Sequence, residues 1–313
     1  MQVSVWAWAV FGFLVLGALA ADLGLFSRRQ GDDQPPTLRA SAIRSAAWIG
    51  LSLAFGVVVL ILYGAEAALT YLTAYLLEKT LSIDNVFVFL IIFSELRIPP
   101  ERQRRVLLWG VLGALLMRAV LIGAGLFVLN RFHWVVYPFA ALIILAAVRL
   151  VWGRKKEEDL VKAACSVCTT WVARVIPITS QLHGNSFWVR QGGRLVATPL
   201  FVALIVVETT DVVFALDSIP AVFAVTRDPF LVYTSNIFAL LGLRALYFLL
   251  AGVVERFRFL RFGLAAILMF FGLRLLLSEV IEVPTWVSLG VIAAALGLSI
   301  LASLRSPPLQ RPA

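Results

Sequence analysis

The sequence predicts an all-α polytopic membrane protein of about nine transmembrane helices, six of them forming two inverted three-helix repeats. Three observations lead there. Of 313 residues, 61% are hydrophobic and 14% charged, against about 25% charged in soluble globular domains. Apolar runs recur along the whole chain at the roughly 20-residue length that crosses about 30 Å of hydrocarbon. The charged residues that remain fall into alternate connecting segments. An ordinary soluble enzyme is excluded by this balance, and the mean hydropathy of +0.94 agrees.

The apolar spans run over about 4–26, 45–63, 67–93, 106–129, 134–152, 195–222, 231–254, 260–278 and 284–304. Ala18-Leu19-Ala20 resembles a signal cleavage site. No basic residue precedes it and Arg28 and Arg29 follow it, the order expected of a retained helix. The segments 27–44, 94–105, 153–194, 255–261 and the C-terminal tail carry 20 of the 27 Lys and Arg, the alternate loops only Arg131 and Arg227, and the spans five. Basic residues stay cytoplasmic, so the N-terminus is expected outside and the C-terminus inside. The net charge of +9 is then a topology signal, and no nucleic-acid partner is implied.

Leu81-Ser82-Ile83-Asp84-Asn85 resembles Phe214-Ala215-Leu216-Asp217-Ser218, with Glu78 opposite Asp211. Arg118-Ala119 against Arg244-Ala245 and Arg149-Leu150 against Arg274-Leu275 keep the same order. Spans 3–5 thus answer to spans 6–8. With three helices per unit, the second unit enters the membrane from the opposite side, as in secondary transporters with a midplane site. The expected organisation is 1–66 (two N-terminal spans), 67–152 (first repeat), 153–194 (cytoplasmic loop), 195–278 (second repeat) and 279–313 (last span and tail).

Five acids lie inside spans: Glu78, Asp84, Glu208, Asp211 and Asp217. An Asp near a helix centre costs about 2.5–3.5 kcal/mol on insertion scales, so such a group points to a site or to structural pairing with Lys79, Arg118, Arg149, Arg244 or Arg274. The expected metal-contacting set is Glu78, Asp84, Asn85, Glu208, Asp211 and Asp217, with Ser82, Thr210, Ser218, Asn236, Arg118 and Arg244 as secondary candidates. Oxygen ligands suit hard divalent cations such as Mn²⁺, Mg²⁺ or Ca²⁺. Pro220 cannot bond the Leu216 carbonyl, which predicts either an opened backbone beside Asp217 or a plain kink.

Cys165-x-x-Cys168 with His183 supplies at most three zinc ligands, and a second Cys pair is missing. With two cysteines and two histidines, neither a disulfide scaffold nor a Cys/His metal cage is expected. No resident cofactor, nucleotide-binding motif or enzymatic signature stands out.

Glu78-Lys79-x-Leu81-Ser82-x-Asp84-Asn85, Val206-Val207-Glu208-Thr209-Thr210-Asp211 and Phe214-Ala215-Leu216-Asp217-Ser218-Ile219-Pro220-Ala221 resemble the TerC family. Ala197-Thr198-Pro199-Leu200-Phe201 and Thr234-Ser235-Asn236-Ile237-Phe238-Ala239 extend the likeness over roughly residues 40–280, and the length resembles the Alx branch. The resemblance implies an inner-membrane exporter of manganese, in a family first named for tellurium resistance, with Glu78, Asp84, Glu208, Asp211 and Asp217 as its acidic motif residues. A rival expectation is a membrane partner that assists assembly or metalation of exported proteins, docking through 153–194.

Overall fold

The computed structural model describes residues 4–22, 37–152, 154–179, 181–251, 259–278, 280–281 and 283–305. Arg28, Arg29, Arg256, Arg258 and Arg311, which contribute to the charge asymmetry, lie outside them. The described residues form ten α-helices and one small hairpin: α1 (Val5–Asp22), α2 (Leu38–Glu95), α3 (Pro100–Arg131), α4 (Val136–Trp152), α5 (Arg154–Val175), β1 (Trp188–Gln191), β2 (Arg194–Ala197), α6 (Pro199–Phe223), α7 (Pro229–Leu240), α8 (Leu243–Ala251), α9 (Leu260–Leu276) and α10 (Thr285–Arg305).

The 58-residue α2 is interrupted at Gly64, which adopts φ 86° and ψ 176°. On a straight helix, Ser52 and Tyr71 would stand about 28 Å apart at 1.5 Å per residue. Their hydroxyls instead hydrogen-bond at 2.8 Å, and the Phe55 and Tyr71 rings meet at 5.4 Å. The chain therefore doubles back at Gly64, and expected spans 2 and 3 are the two arms of this hairpin. Only glycine adopts that φ without a Cβ penalty.

Five helical elements are long and apolar enough to cross a bilayer, and the bent pair α7–α8 makes a sixth. The sequence predicts nine spans. Much of the difference lies in α2, one element by backbone hydrogen bonding, and in α1 and α9, which are apolar but only 18 and 17 residues long.

One local expectation is corrected and another is narrowed. The helix of the sixth span begins at Pro199, because 194–197 pair with 188–191 as an antiparallel hairpin turning on Gly192 and Gly193, both at positive φ. Helix α6 also continues through Pro220 to Phe223; no opened segment forms beside Asp217. The discontinuity sits in the seventh span instead, where α7 and α8 meet at a 40° bend. Gly242 there adopts φ 84°, and a Cβ on it would lie 2.6 Å from Trp48. Both the backbone and the close approach of the first α2 arm thus require glycine.

Helix α3 carries Gly110, Gly113 and Gly125 on the side that meets α6, where a Cβ on each would collide with Val207, Glu208 and Phe223 respectively. Small residues let membrane helices approach closely, the main source of association where lipid removes the hydrophobic drive. Gly272 of α9 serves α4 in the same way, against Ile144.

Gly242→Ala should cost about 1–3 kcal/mol from backbone strain alone, with the Trp48 overlap added. Thermal unfolding in detergent should show a lower midpoint. An unchanged midpoint would mean that the bend does not depend on this glycine.

Candidate functional site

Glu78 sits on the second arm of α2, Arg118 on α3 and Asp211 on α6, and none is more than 2% exposed. Asp211 is twelve residues from either end of α6, or about 18 Å along the axis each way. The cluster is therefore at the middle of the bundle's long axis. Arg118 binds Asp211 with two parallel bonds, Nε to Oδ2 at 3.3 Å and Nη2 to Oδ1 at 3.4 Å. Its Nη1 donates to Glu78 Oε1, to Ser218 Oγ at 3.3 Å and to Asn236 Oδ1 at 3.5 Å. The Ser218 hydroxyl donates in turn to Glu78 Oε1 at 3.3 Å. One planar guanidinium, always charged and built as a fork of donors, thus ties four helices together.

Two carboxyl groups thus share one guanidinium. Glu78 Oε2 and Asn236 Nδ2 are buried without a hydrogen-bond partner. Native interiors rarely leave such atoms unpaired, so the cluster has unused acceptor and donor capacity.

The structure joins Glu78, Asp211, Ser218, Asn236 and Arg118. It does not gather the whole expected metal set: among the described residues, no three His, Cys, Asp or Glu side chains form a group able to hold a metal ion. Helical periodicity accounts for much of the dispersal. Asp84 is half-buried and lies six residues past Glu78, about 1.7 turns, which carries it off Glu78's face. Asp217 stands in the same relation to Asp211, and its charged neighbour is Arg149 of α4. Glu208 shares the Asp211 face, with its carboxylate against Gly113 and its Oε2 without a partner. Ser82 donates to the Glu78 carbonyl at 2.8 Å, and Thr210 to the carbonyls of Val206 and Val207 at 3.0 and 2.9 Å. Asn85 and Arg244 are buried, on α2 and α8.

Two features escape the sequence reading. Arg118 appears there as a secondary candidate, whereas it is the hub. Lys79 donates to the Ala239 carbonyl at 3.2 Å, placing a cation on the last turn of α7, where a helix dipole favours one. The adjacent Glu78-Lys79 pair inside an apolar run is the signal for both, because such charges must each find a partner.

The TerC integral membrane protein family matches residues 63–309. The chain belongs to the TerC family. It is 47% identical over 297 residues to a Myxococcus xanthus protein named "Uncharacterized membrane protein STKORF319", covering 95% of this chain and 91% of that one. It is 42% identical over 302 residues to "Putative membrane-bound redox modulator Alx" of Escherichia coli K12, covering 94% and 92%. A Rickettsia bellii membrane protein is 38% identical over 298 residues, covering 95% and 97%. No solved structure matches. This TerC chain is thus a multi-pass membrane protein.

Both cysteines of this TerC protein are free thiols on α5. Burial, reinforced by the nearby Glu95 and Cys168, pushes the Cys165 thiol up to about 11. The thiolate is the reactive form, so Cys165 should alkylate far more slowly than Cys168 near neutral pH and accelerate as pH rises towards 11. Mass spectrometry after maleimide labelling over a pH series would show this; equal labelling at neutral pH would contradict it.

Proposed function

We propose that this TerC protein exports Mn²⁺ across the bacterial inner membrane, using nine spans with an outside N-terminus and two inverted three-helix units. The observation that carries the reading is the meeting of Glu78 and Asp211 at mid-bundle. These are matched positions of the internal sequence repeat, brought together by a single cation. Carboxylates from both halves of a repeat at one buried point are what a midplane cation site requires, and their hard oxygens suit Mn²⁺.

In this reading Arg118 supplies the positive charge that the two acids need between one metal ion and the next. An arriving divalent ion competes with the guanidinium for Glu78 and Asp211. Ser218 and Asn236 offer neutral oxygens, and the spare Glu78 Oε2 offers another. Arg118 must then move aside, which couples metal arrival to a shift of α3 against α2 and α6. As the ion leaves, the returning guanidinium prevents the acids from facing each other bare. Asp84, Glu208 and Asp217 lie along the same spans as stations on the path, or as groups that exchange protons with the passing metal.

The test is Mn²⁺ flux into vesicles holding the purified protein, with a pH gradient set in either direction. Glu78→Gln and Asp211→Asn should each reduce flux to the level of protein-free vesicles while the protein still inserts and purifies. Wild-type flux in both variants would overturn the site. No flux from folded wild-type protein under any gradient would overturn export, and would favour instead a membrane partner that assists assembly or metalation of exported proteins through 153–194.

A further inference from the structure

Helix α5 falls in the segment expected to be a cytoplasmic loop, yet its surface divides into three sectors. Val161 and Cys165 are buried, and Cys168 and Val172 continue that stripe at partial burial; they pack on the core formed by α2, α3 and α6. Lys162, Ser166 and Thr170 form an exposed polar sector. Between these lies a third stripe: Leu160, Val167, Trp171 and Val175, exposed by 68, 58, 66 and 74%. At about 100° per residue, the four positions fall within roughly a quarter of a turn and border the buried stripe. Half of α5's apolar arc is therefore covered by protein, and the other half is left uncovered among the described residues.

The exposed stripe borders a groove of about 390 Å³ between Val167, Trp171 and Val175 of α5 and Phe201, Ile205 and Thr209 of α6. The depth of this groove identifies what fills it. Helix α6 has 25 residues, about 37 Å, of which a 30 Å hydrocarbon layer leaves only about 7 Å outside. Ile205 and Thr209 lie about 9 and 15 Å in from Pro199, at hydrocarbon depth. The exposed face of α6 runs on from Thr209 through Val213 and Leu216, so the groove opens onto the lipid-facing surface of a spanning helix.

The geometry points to α5 as an interfacial helix embedded in the bilayer leaflet at the α6 N-terminal side, its groove occupied by phospholipid acyl chains. Its polar sector then faces the headgroups, and its apolar stripe faces the acyl chains. Amphipathic helices bind a leaflet through this division of faces. Here the helix is also fastened to α2 and α6, so a lipid chain in the groove bears directly on α6, which carries Asp211.

The test places a nitroxide label singly at 167, 171 and 175, and at 166 and 170 for comparison. The background is Cys168→Ala, with Cys165 left buried, in phosphatidylethanolamine–phosphatidylglycerol vesicles. Power saturation compares collision with oxygen, which concentrates in lipid, against a water-soluble nickel chelate. The ratio of oxygen to nickel accessibility should be several-fold higher at Val167→Cys, Trp171→Cys and Val175→Cys than at Ser166→Cys and Thr170→Cys. Two results would overturn the proposal: nickel access at all five positions, as for a solvated loop, or poor access to both reagents at 167, 171 and 175, as for a face covered by a second copy or another protein. Neither result depends on whether the protein moves Mn²⁺.

Discussion

Two carboxylates cannot share the middle of a membrane without a cation, and Arg118 is the cation this chain provides. Removing a charged group from water costs several kcal/mol even after relaxation, so Glu78, Asp211 and Arg118 are tolerable only together. That requirement fixes much of the architecture. The second arm of α2 must face α3 at Glu78, and α6 must lie close enough to α3 for a bidentate contact. The glycines of α3 at 110, 113 and 125 make the second condition possible by removing the side chains that would hold α6 away. Asn236 adds α7 to the same point, so four helices register on one guanidinium.

The bend between α7 and α8 belongs to the same economy of charge. A helix ending inside hydrocarbon exposes carbonyls that no water can satisfy, which is tolerated only where protein meets them. Lys79, next to Glu78 on α2, donates to the Ala239 carbonyl in the last turn of α7. The first α2 arm presses Trp48 against the glycine at the break. One short stretch of α2 thus supplies both the acid for Arg118 and the cation for a broken helix, while the other arm seals the bend.

Much of this was legible in the sequence, for identifiable reasons. Membrane spans are written in long apolar runs, and charges inside such runs are too costly to be incidental; Glu78, Asp211 and Arg118 stood out on that ground. The sequence comparison set Glu78 opposite Asp211 as matched positions, without placing them together. What could not be read was which acids meet. Asp84 and Asp217 carry the same chemistry as Glu78 and Asp211, but six residues of helix rotate them elsewhere, and the neighbouring helix that receives them is a tertiary fact. An opened backbone was one of two expectations at Pro220, because proline is the obvious helix breaker. A proline near a helix end can be absorbed, whereas Gly242 draws no attention until its φ and Trp48 are seen. The 153–194 segment read as a cytoplasmic loop from its Lys and Arg, although the stripe Leu160, Val167, Trp171, Val175 was present in the letters.

Membership of the TerC family and the buried cluster together give a concrete physical picture: a membrane protein whose own arginine holds two buried acids together at mid-bundle. The most direct test of that picture is the energetic coupling of Arg118 to its two acids, measured by reversible unfolding in mixed micelles. Arg118→Met alone should destabilise the protein by about 3–5 kcal/mol, the cost of leaving buried charge unpaired. Adding Glu78→Gln and Asp211→Asn to that variant should restore most of the loss. If Arg118→Met is nearly neutral, or if neutralising both acids restores nothing, Arg118 is not the cation on which the cluster depends.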